Sequence, residues 1–373
     1  MNKILIILSA GILLRLFLAF STIHSDLAVF HLAGKVIGEG HIFNLYDYSS
    51  DAATFNYPPF IYWFFGIFNF LSSWGIWLLK LPYLIFDLSI GLLLYRVVEE
   101  KKKALVFGLW MFNPINLYAT YMMGQFDIIP TFFSVYSFYL VSKNRLKWAA
   151  LALGFGIAFK LYPIFLLIPL LIIAKSFVTR IKLAFIAALP YFISVLPYLS
   201  SESFRSNALF ASQSSKSLYA GIPVSGGESI LLFPASLILF YLLIRNKSLD
   251  KLFFWKIYLI SLLLFFIFTH YHPQWLIWVT PFLILDLCFG KIKNLLPILI
   301  IFGSWLGSLF FFDSSLTLGI FAPVLPILKT TPDIWTLLKF HIDYNFSRSI
   351  LQTIFAASAA YLIYQCFPRR ENG

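Results

Sequence analysis

Charged residues are scarce in this sequence. Only 12% of its 373 residues are Asp, Glu, Lys or Arg, 60% are hydrophobic, and the mean hydropathy is +0.84. A soluble domain carries about 25% charged residues, so this composition excludes an ordinary soluble protein. Apolar stretches long enough to cross a bilayer recur along the chain, and only helices satisfy their own backbone hydrogen bonds in hydrocarbon at that length. The sequence therefore predicts an all-α polytopic membrane protein.

Cysteine is also rare, and the two that occur, Cys288 and Cys366, both fall at predicted cytoplasmic helix ends. A structural disulfide is not expected there. The net charge of +12 would suggest nucleic acid as a partner for a soluble protein, but in a membrane protein the placement of the charges matters more, and no nucleic acid is expected. The chain shows no soluble domain and no internal repeat, so we expect one integral membrane domain over residues 1–373.

The hydrophobic segments predict about twelve transmembrane helices. They fall at residues 4–20, 76–98, 104–121, 128–141, 148–159, 161–174, 183–199, 229–244, 252–269, 274–289, 295–312 and 347–367. Most of the 28 basic residues lie in short loops on one side of this arrangement, which the positive-inside rule assigns to the cytoplasm. We therefore expect both termini in the cytoplasm, a plasma-membrane location and the polar chemistry on the outer face.

Two charges fall inside predicted spans. Arg15 lies 11 residues after the start of the first span and Asp87 lies 11 residues before the end of the second. At about 1.5 Å per residue they lie at the same depth, where an ionisable group needs a partner. The sequence predicts a structural ion pair between Arg15 and Asp87.

The first outer loop, residues 21–75, is the longest polar interval of the first half. Residues 26–37 have an amphipathic pattern and are too short and polar to cross, so they predict an interfacial helix with Asp26 at its N-cap. Residues 59–71 predict a second interfacial or re-entrant helix, and residues 316–328 a similar element near the C-terminus.

The predicted outer ends of the helices carry a small set of ionisable side chains beside aromatic residues: Asp26, Asp47, Asp127, Lys160, Arg205, Lys216, His270 and His272. A carboxylate at the lipid boundary is partly desolvated, which suits a general base, and nearby cations suit a phosphate leaving group. Simpler alternatives exist for five of these residues. Asp26 and Asp127 cap helices, Lys160 reaches lipid headgroups, and His270 and His272 belong to an aromatic belt or, with His24, bind zinc.

The order of these motifs resembles a known family. Asp26 after the first span is followed by Phe55-Asn56-Tyr57-Pro58-Pro59, Asp87, Asn113-Pro114, Gly124-Gln125-x-Asp127 and Gly156-x-Ala158-x-Lys160-x-Tyr162-Pro163. This pattern resembles the GT-C superfamily of integral membrane glycosyltransferases. Within it, the pattern is most similar to bacterial polyprenyl-phosphate-mannose-dependent mannosyltransferases and to the catalytic subunit of glycosylphosphatidylinositol mannosyltransferase I. The resemblance assigns residues 1–199 to a GT-C-like module and residues 200–373 to a variable helical module.

The resemblance implies an inverting transfer of a sugar from a polyprenyl-phosphate donor to a hydroxyl of a lipid, glycan or protein acceptor on the extracytoplasmic face. Mannose is the sugar that the resemblance implies. Asp26 would be the catalytic base. The donor phosphate would be bound by Lys160, Arg205, His270, His272 and Gln274, and the acceptor or a secondary site by Asp47, Tyr57, Gln125 and Asp127. Several relatives have Asp-x-Asp where this chain has His24-Ser25-Asp26, which leaves a requirement for a divalent metal open.

A multi-pass transporter or a lipid-carrier flippase is the alternative from another class. About twelve spans with both termini inside is also a transporter layout. Transporters place their ionisable groups near the midplane in two related halves, whereas here the polar residues gather at one face. The sequence therefore favours the enzyme.

Overall fold

The computed structural model describes residues 2–50, 54–210, 215–247, 249–290 and 292–368. Most of this part is helical, as predicted. The longer α-helices are α1 Asn2–Ser21, α2 Asp26–Gly38, α3 Pro59–Phe68, α4 Tyr83–Val97, α5 Lys103–Met111, α6 Ile128–Ser142, α7 Leu146–Phe159, α8 Ile164–Ile172, α9 Phe177–Val195, α10 Leu232–Ile244, α11 Trp255–Phe268, α12 Thr280–Phe289, α13 Leu295–Leu309 and α14 Tyr344–Cys366.

Several of these helices are suited to a bilayer. Four segments are long and apolar enough to cross it, namely Lys3–Ser21, Ile76–Val97, Phe177–Tyr198 and Tyr344–Cys366. Helices α6, α7, α10, α11, α12 and α13 are apolar but only 10–17 residues long. A helix needs about 17 to 25 residues to span, so the total of twelve spans stays a prediction.

The two helices predicted in the first outer loop are present. Helix α2 buries Leu27, Phe30, Ala33, Gly34 and Val36 and leaves Lys35 exposed. Helix α3 packs across this face, and the backbones approach closely at Gly34, where an added Cβ would lie 2.9 Å from the Phe65 carbonyl oxygen. The pair forms a small layer beside the end of the bundle at which α1 ends, which we call the Asp26 end.

The third predicted span, residues 104–121, is not one continuous helix. Helix α5 ends at Met111, and Asn113 starts a new helical segment by accepting hydrogen bonds from the backbone N–H groups of Ile115 and Asn116 at 3.0 and 3.1 Å. Pro114 has no N–H to continue the first helix. The new segment continues as a π-helix, Leu117–Met122, which brings the following loop to the Asp26 end.

One short segment of this mostly helical chain is a β-hairpin, which the sequence analysis did not predict. Residues Gly221–Ser225 and Glu228–Leu231 form a two-stranded antiparallel hairpin within the loop before α10. Both strands are exposed and joined by Gly226-Gly227, a dipeptide typical of tight hairpin turns. Elsewhere, residues 316–328 form short 3₁₀ turns. This segment contacts the first loop, because the Ile23 N–H donates to the Ile320 carbonyl at 2.8 Å.

Most buried apolar side chains from both halves of the chain form one contiguous cluster that runs from Leu27 to Cys366, and Ala19, Leu117 and Tyr121 form a second, small one. Helix α7 packs against both α6 and α9. Helices α11, α13 and α14 form a second packed group. Their ends at the Asp26 end carry the loops described below.

Candidate active site

Asp26 is the first residue of α2, and the N-cap position belongs to Ser25, so the predicted cap is off by one residue. The Asp26 carboxylate turns to side chains: Gln125 Nε2 donates a hydrogen bond to its Oδ2, and His24 Nδ1 lies 3.6 Å from its Oδ1. Its side chain remains 41% exposed. An anion at a helix N-terminus is stabilised by the helix dipole. Asp26 is therefore held in place and still reachable by a substrate.

The partner Gln125 is positioned by the turn that follows the π-helix. Gly124 adopts φ +74°, a conformation that favours glycine, and an added Cβ would lie 3.1 Å from the side chain of Lys80. The Gln125 N–H donates to the Ala119 carbonyl at 2.9 Å. These contacts direct its amide at Asp26.

Lys80 joins the two loops that carry Asp26 and Gln125. Its ammonium group is fully buried and donates to the carbonyl oxygens of Ala19 at 3.2 Å, Thr22 at 2.6 Å and Tyr121 at 2.8 Å. These carbonyls lie at the ends of α1 and the π-helix, where backbone acceptors lack helical partners. Sequence reasoning gave Lys80 no role, because its partners are backbone groups.

Asp127 and Lys160 form a buried ion pair. Lys160 Nζ lies 2.7 Å from Asp127 Oδ1, and Trp278 Nε1 donates to the same oxygen at 2.5 Å. Asp127 occupies the N-cap position of α6 but makes no capping hydrogen bond, so the alternative of a simple cap is wrong. Four aromatic rings surround the ammonium group at 5.2–5.4 Å: Tyr57, Phe126, Trp275 and Trp278. The charge of Lys160 is therefore already compensated within the protein.

An aromatic cavity of about 280 Å³ opens beside this ion pair. Its lining includes Tyr57, Lys160, Trp275 and Trp278 together with the apolar side chains of Ile164, Phe165 and Phe265. The pKa of Tyr57 is raised well above its usual value, first by burial and then by the charges of Asp26 and Asp127. The charges of Asp26 and Asp127 therefore both act on the Tyr57 hydroxyl at the cavity. The mainly apolar lining of the cavity suits a lipid chain or the face of a sugar ring.

A cation without a carboxylate partner contacts His272 in the turn after α11. Lys216 Nζ lies 3.1 Å from His272 Nε2, and within the described ranges no carboxylate lies within 4 Å of Lys216. Burial lowers the pKa of Lys216. The pKa of His272 falls to about 4, first through burial and then through the charges of Lys216, His270, Lys160 and His24. Such a cluster is suited to an anion. The sequence analysis included Lys216 among the outer ionisable residues but gave it no role at the donor site, because local pattern does not reveal its contact with His272, 56 residues away.

The other predicted site residues are more scattered. Asp47 is exposed and accepts a hydrogen bond from Ser201 Oγ at 3.0 Å, whereas the exposed Arg205 donates to the Leu199 carbonyl at 2.8 Å. The His270 ring is 5.9 Å from that of His272. Gln274 is buried, and its Oε1 has no hydrogen-bond partner among the residues that the structure describes. Asp47 and Arg205 thus brace loops and make no described contact with Lys160 or the histidines.

The structure contains the ion pair predicted in the bilayer. Arg15 Nε lies 2.5 Å from Asp87 Oδ2, and both side chains are fully buried. Asp87 also accepts hydrogen bonds from Trp110, Asn116 and Tyr121 at 2.6–2.8 Å. The pair is therefore a closed structural network.

Across the described part of the chain, no group of three His, Cys, Asp or Glu side chains is arranged to hold a metal ion.

Comparison with known families assigns the chain. The model of glycosyltransferase family 87 matches residues 55–269, which is more than half of the sequence. The chain belongs to glycosyltransferase family 87. The matched region of this family 87 member includes Tyr57, Gln125, Asp127, Lys160 and Lys216, and it begins after Asp26.

Curated relatives agree with this assignment. The family 87 chain is 29% identical to GPI mannosyltransferase 1 of Saccharomyces cerevisiae over 39% of its own length and 35% of the yeast protein. It is 25% identical to GPI mannosyltransferase 1 of Kluyveromyces lactis over 45% of its own length and 44% of that protein. The matches thus cover less than half of each relative. They confirm the resemblance to membrane mannosyltransferases that the motifs predicted.

One solved structure is also similar to this chain. The crystal structure of ArnT from Cupriavidus metallidurans bound to undecaprenyl phosphate is 12% identical, with a TM-score of 0.49. The alignment covers 98% of this family 87 chain and 77% of the other.

Proposed function

We propose that this membrane glycosyltransferase transfers mannose from a polyprenyl-phosphate donor to a hydroxyl group of its acceptor, with inversion at the anomeric carbon. The observation that carries the proposal is the placement of Asp26. Its carboxylate is accessible and held by Gln125, and its charge acts on Tyr57 in the wall of the aromatic cavity. Its neighbour His24 acts on His272, a neutral imidazole that contacts the cation Lys216. The choice of mannose is supported by the names of the yeast relatives, and the lipid-phosphate donor by the motif resemblance.

In this mechanism Asp26 is the general base. Gln125 occupies Oδ2, so Oδ1 accepts the proton of the acceptor hydroxyl. The acceptor oxygen then forms a bond to the anomeric carbon while the bond from that carbon to the phosphate oxygen breaks on the opposite face, which inverts the configuration. The polyprenyl phosphate leaves with the bonding electron pair, and Lys216 stabilises its negative charge.

The two halves of the chain have different parts in this proposal. Residues 1–199 supply Asp26, Gln125 and the Asp127–Lys160 pair, and residues 200–373 supply Lys216 and His272. The structure differs here from the roles expected of the donor-site residues, because Lys160 is already paired with Asp127. We therefore assign the donor phosphate to Lys216 and His272, and assign Lys160 to the aromatic cavity wall.

We place the reaction on the extracytoplasmic face of the plasma membrane, with both termini in the cytoplasm. The support is the charge distribution. The loop with Lys101, Lys102 and Lys103 follows α4, at the end of that helix opposite Lys80 and the Asp26 end. Basic loops of this kind stay in the cytoplasm.

The test uses purified protein in lipid nanodiscs with labelled polyprenyl-phosphate-mannose and a crude lipid extract as acceptor source. Asp26→Asn should lower the transfer rate by about 10²- to 10⁴-fold, the usual contribution of a general base. Glu39→Gln is the matched control, because Glu39 is an exposed carboxylate at the other end of the same helix. A wild-type rate in Asp26→Asn would remove Asp26 as the base, and a product that retains the anomeric configuration would refute the single displacement.

A further inference from the structure

A polar cavity of about 280 Å³ lies at the end of the bundle opposite the Asp26 end. It is formed where α11 begins, α12 ends, α13 begins and α14 ends. The turn with His272 follows the other end of α11, so this cavity and the candidate active site are separated by the length of that helix. The proposed function uses none of its lining residues, which include Lys256, Asp286, Lys293, Asn294, Gln365 and Cys366.

Two lysines give the lining a positive charge. Lys293 Nζ donates to the Gln365 amide oxygen, and within the described residues no carboxylate lies within 4 Å of Lys256 or Lys293. Asp286 is the one acidic side chain among the described lining residues, so two ammonium groups face a single carboxylate. A pair of lysines of this kind is suited to an anion such as a phosphate group.

The Asp286 carboxylate already has partners within the protein. It is 1% exposed, and its two oxygens accept from Asn294 Nδ2 at 2.8 Å and from Cys366 Sγ at 3.3 Å. The turn after α12 packs against the same residue, because the Gly290 N–H donates to the Asp286 carbonyl at 2.6 Å and an added Cβ at Gly290 would clash with that oxygen. Asp286 therefore fixes Asn294 in the cavity wall and leaves both lysines available to a ligand.

Asn294 contributes a buried acceptor that has no partner. The residue is 5% exposed, its Nδ2 is used by Asp286, and its Oδ1 has no hydrogen-bond partner in the part of the chain that the structure describes. An unpaired buried acceptor costs free energy, which a hydrogen-bond donor of a ligand can relieve. A hydroxyl suits this position better than an ammonium group, because Lys256 and Lys293 repel a further cation. The lining thus fits a ligand that combines an anionic group with a neutral hydroxyl.

The surroundings favour a lipid over a soluble ligand. The first turns of α13 expose large apolar side chains, since Leu296 is 66% exposed and Leu299 56%, and Tyr361 near the end of α14 is 43% exposed. Apolar side chains of this kind face the bilayer, and tyrosine is enriched at its interface. Acyl chains attached to a head group in the cavity would lie along these side chains.

We propose that this cavity binds a glycerophospholipid of the leaflet opposite the Asp26 end, with a head group that carries a phosphodiester and a neutral hydroxyl, as in phosphatidylglycerol. The phosphate contacts Lys256 and Lys293, and the head-group hydroxyl donates to Asn294 Oδ1. Basic pockets between membrane helices are known to hold phosphate head groups. The lipid is not a substrate, because the cavity and Asp26 lie at opposite ends of the bundle. It joins the ends of four helices, so its binding should stabilise the fold.

A binding measurement tests the two contacts separately. Native mass spectrometry compares how the full-length protein retains three dioctanoyl lipids. Phosphatidylethanol has the charge of phosphatidylglycerol but no head-group hydroxyl, and diacylglycerol lacks the phosphate. Wild type should bind phosphatidylglycerol at least about tenfold more tightly than diacylglycerol and at least about threefold more tightly than phosphatidylethanol, because hydrogen bonds to a charged group are stronger than neutral ones. Equal binding of phosphatidylglycerol and either of the other lipids would overturn the proposal.

Substitutions place the lipid in the cavity. The double variant Lys256→Gln/Lys293→Gln should lose the preference for phosphatidylglycerol over diacylglycerol. The double variant Lys256→Arg/Lys293→Arg, which keeps both charges, should retain most of it and separates a lost contact from misfolding. Lys147→Gln is the matched control, because Lys147 is an exposed lysine at the same end of the bundle and outside the cavity. An unchanged preference in the double Gln variant would overturn the proposal.

Two further arms identify the source of the ligand and its effect. Glycerol 1-phosphate has the same head group without acyl chains, and at equal concentration it should not displace phosphatidylglycerol; displacement would overturn the assignment to a lipid. Phosphatidylglycerol should raise the free energy of unfolding of wild type and leave that of the double Gln variant unchanged. Asp26→Asn should bind phosphatidylglycerol as wild type does, so a failure of the proposed function leaves these results unaffected.

Discussion

Replacing Lys160 by Met should strongly destabilise this protein, because it leaves Asp127 buried without its cation. Asp127 would keep only the Trp278 N–H on Oδ1, and its Oδ2 has no partner among the described residues even in the wild type. Breaking a buried ion pair from one side costs about 3–5 kcal/mol. We expect the free energy of unfolding of Lys160→Met to fall by this amount.

Removing the acidic partner of the ion pair instead should lower the free energy of unfolding less. In Asp127→Asn, the ammonium group of Lys160 keeps four aromatic rings at 5.2–5.4 Å, and its side chain is 10% exposed, so water can reach it. The loss should therefore be about 1–3 kcal/mol, the usual penalty for a poorly paired buried group. In the double variant neither charge is left alone. Its loss should be smaller than the sum of the single losses by at least about 1 kcal/mol.

The assay is reversible unfolding by SDS in mixed micelles, monitored by tryptophan fluorescence, for wild type, the two single variants and the double variant. Lys147→Met is the matched control, because Lys147 is an exposed lysine in the first turn of α7, the helix that ends just before Lys160. A surface change of this kind should stay within about 0.5 kcal/mol of wild type. Additive losses in the double variant, or a Lys160→Met variant as stable as the control, would refute the reasoning that the two charges depend on each other.

Two further predictions follow from the site. Lys80→Met removes a charged donor from three buried carbonyls and should loosen the Asp26–Gln125 contact. The free energy of unfolding should fall by at least about 2 kcal/mol, and kcat should fall more than about tenfold with unchanged binding of polyprenyl phosphate. A wild-type kcat would contradict this prediction. The pKa of His272 is about 4 in the folded protein and about 6.5 in the unfolded chain, so the stability contributed by its neutral ring is fully present above about pH 6.5 and is lost as the pH falls toward 4. Between pH 8 and pH 5, the free energy of unfolding should therefore fall less in His272→Asn than in wild type.

The features that could be predicted from the sequence depend on local pattern or on depth in the bilayer. Helix α2 follows from its amphipathic spacing, and the Arg15–Asp87 contact follows from equal depth in two adjacent spans, where a charge has few other partners. Asp26 was singled out by its position after the first apolar helix. The structure adds the contacts with Gln125 and His24 that hold it there.

The features that could not be predicted depend on contacts between distant segments. No local pattern indicates that Asp127 and Lys160 neutralise each other, because they are 33 residues apart at the ends of different helices. The pairing of Lys216 with His272 brings a loop before the hairpin to the turn after α11. Local patterns also failed at Asn113, where a side chain restarts the helix inside an apolar stretch that reads as continuous.

The site residues share a position in the fold that explains why stability and catalysis are linked. Asp26 follows the end of α1, Asp127 precedes α6, Lys160 follows α7, and His272 follows α11. Helix ends leave backbone groups without helical partners, and side chains or water must satisfy them. Lys80 does this for α1 and for the π-helix with one ammonium group, and the same bonds fix the distance between the loops of Asp26 and Gln125. A substitution that weakens this junction should therefore change the geometry of the proposed catalytic site as well as the stability of the fold.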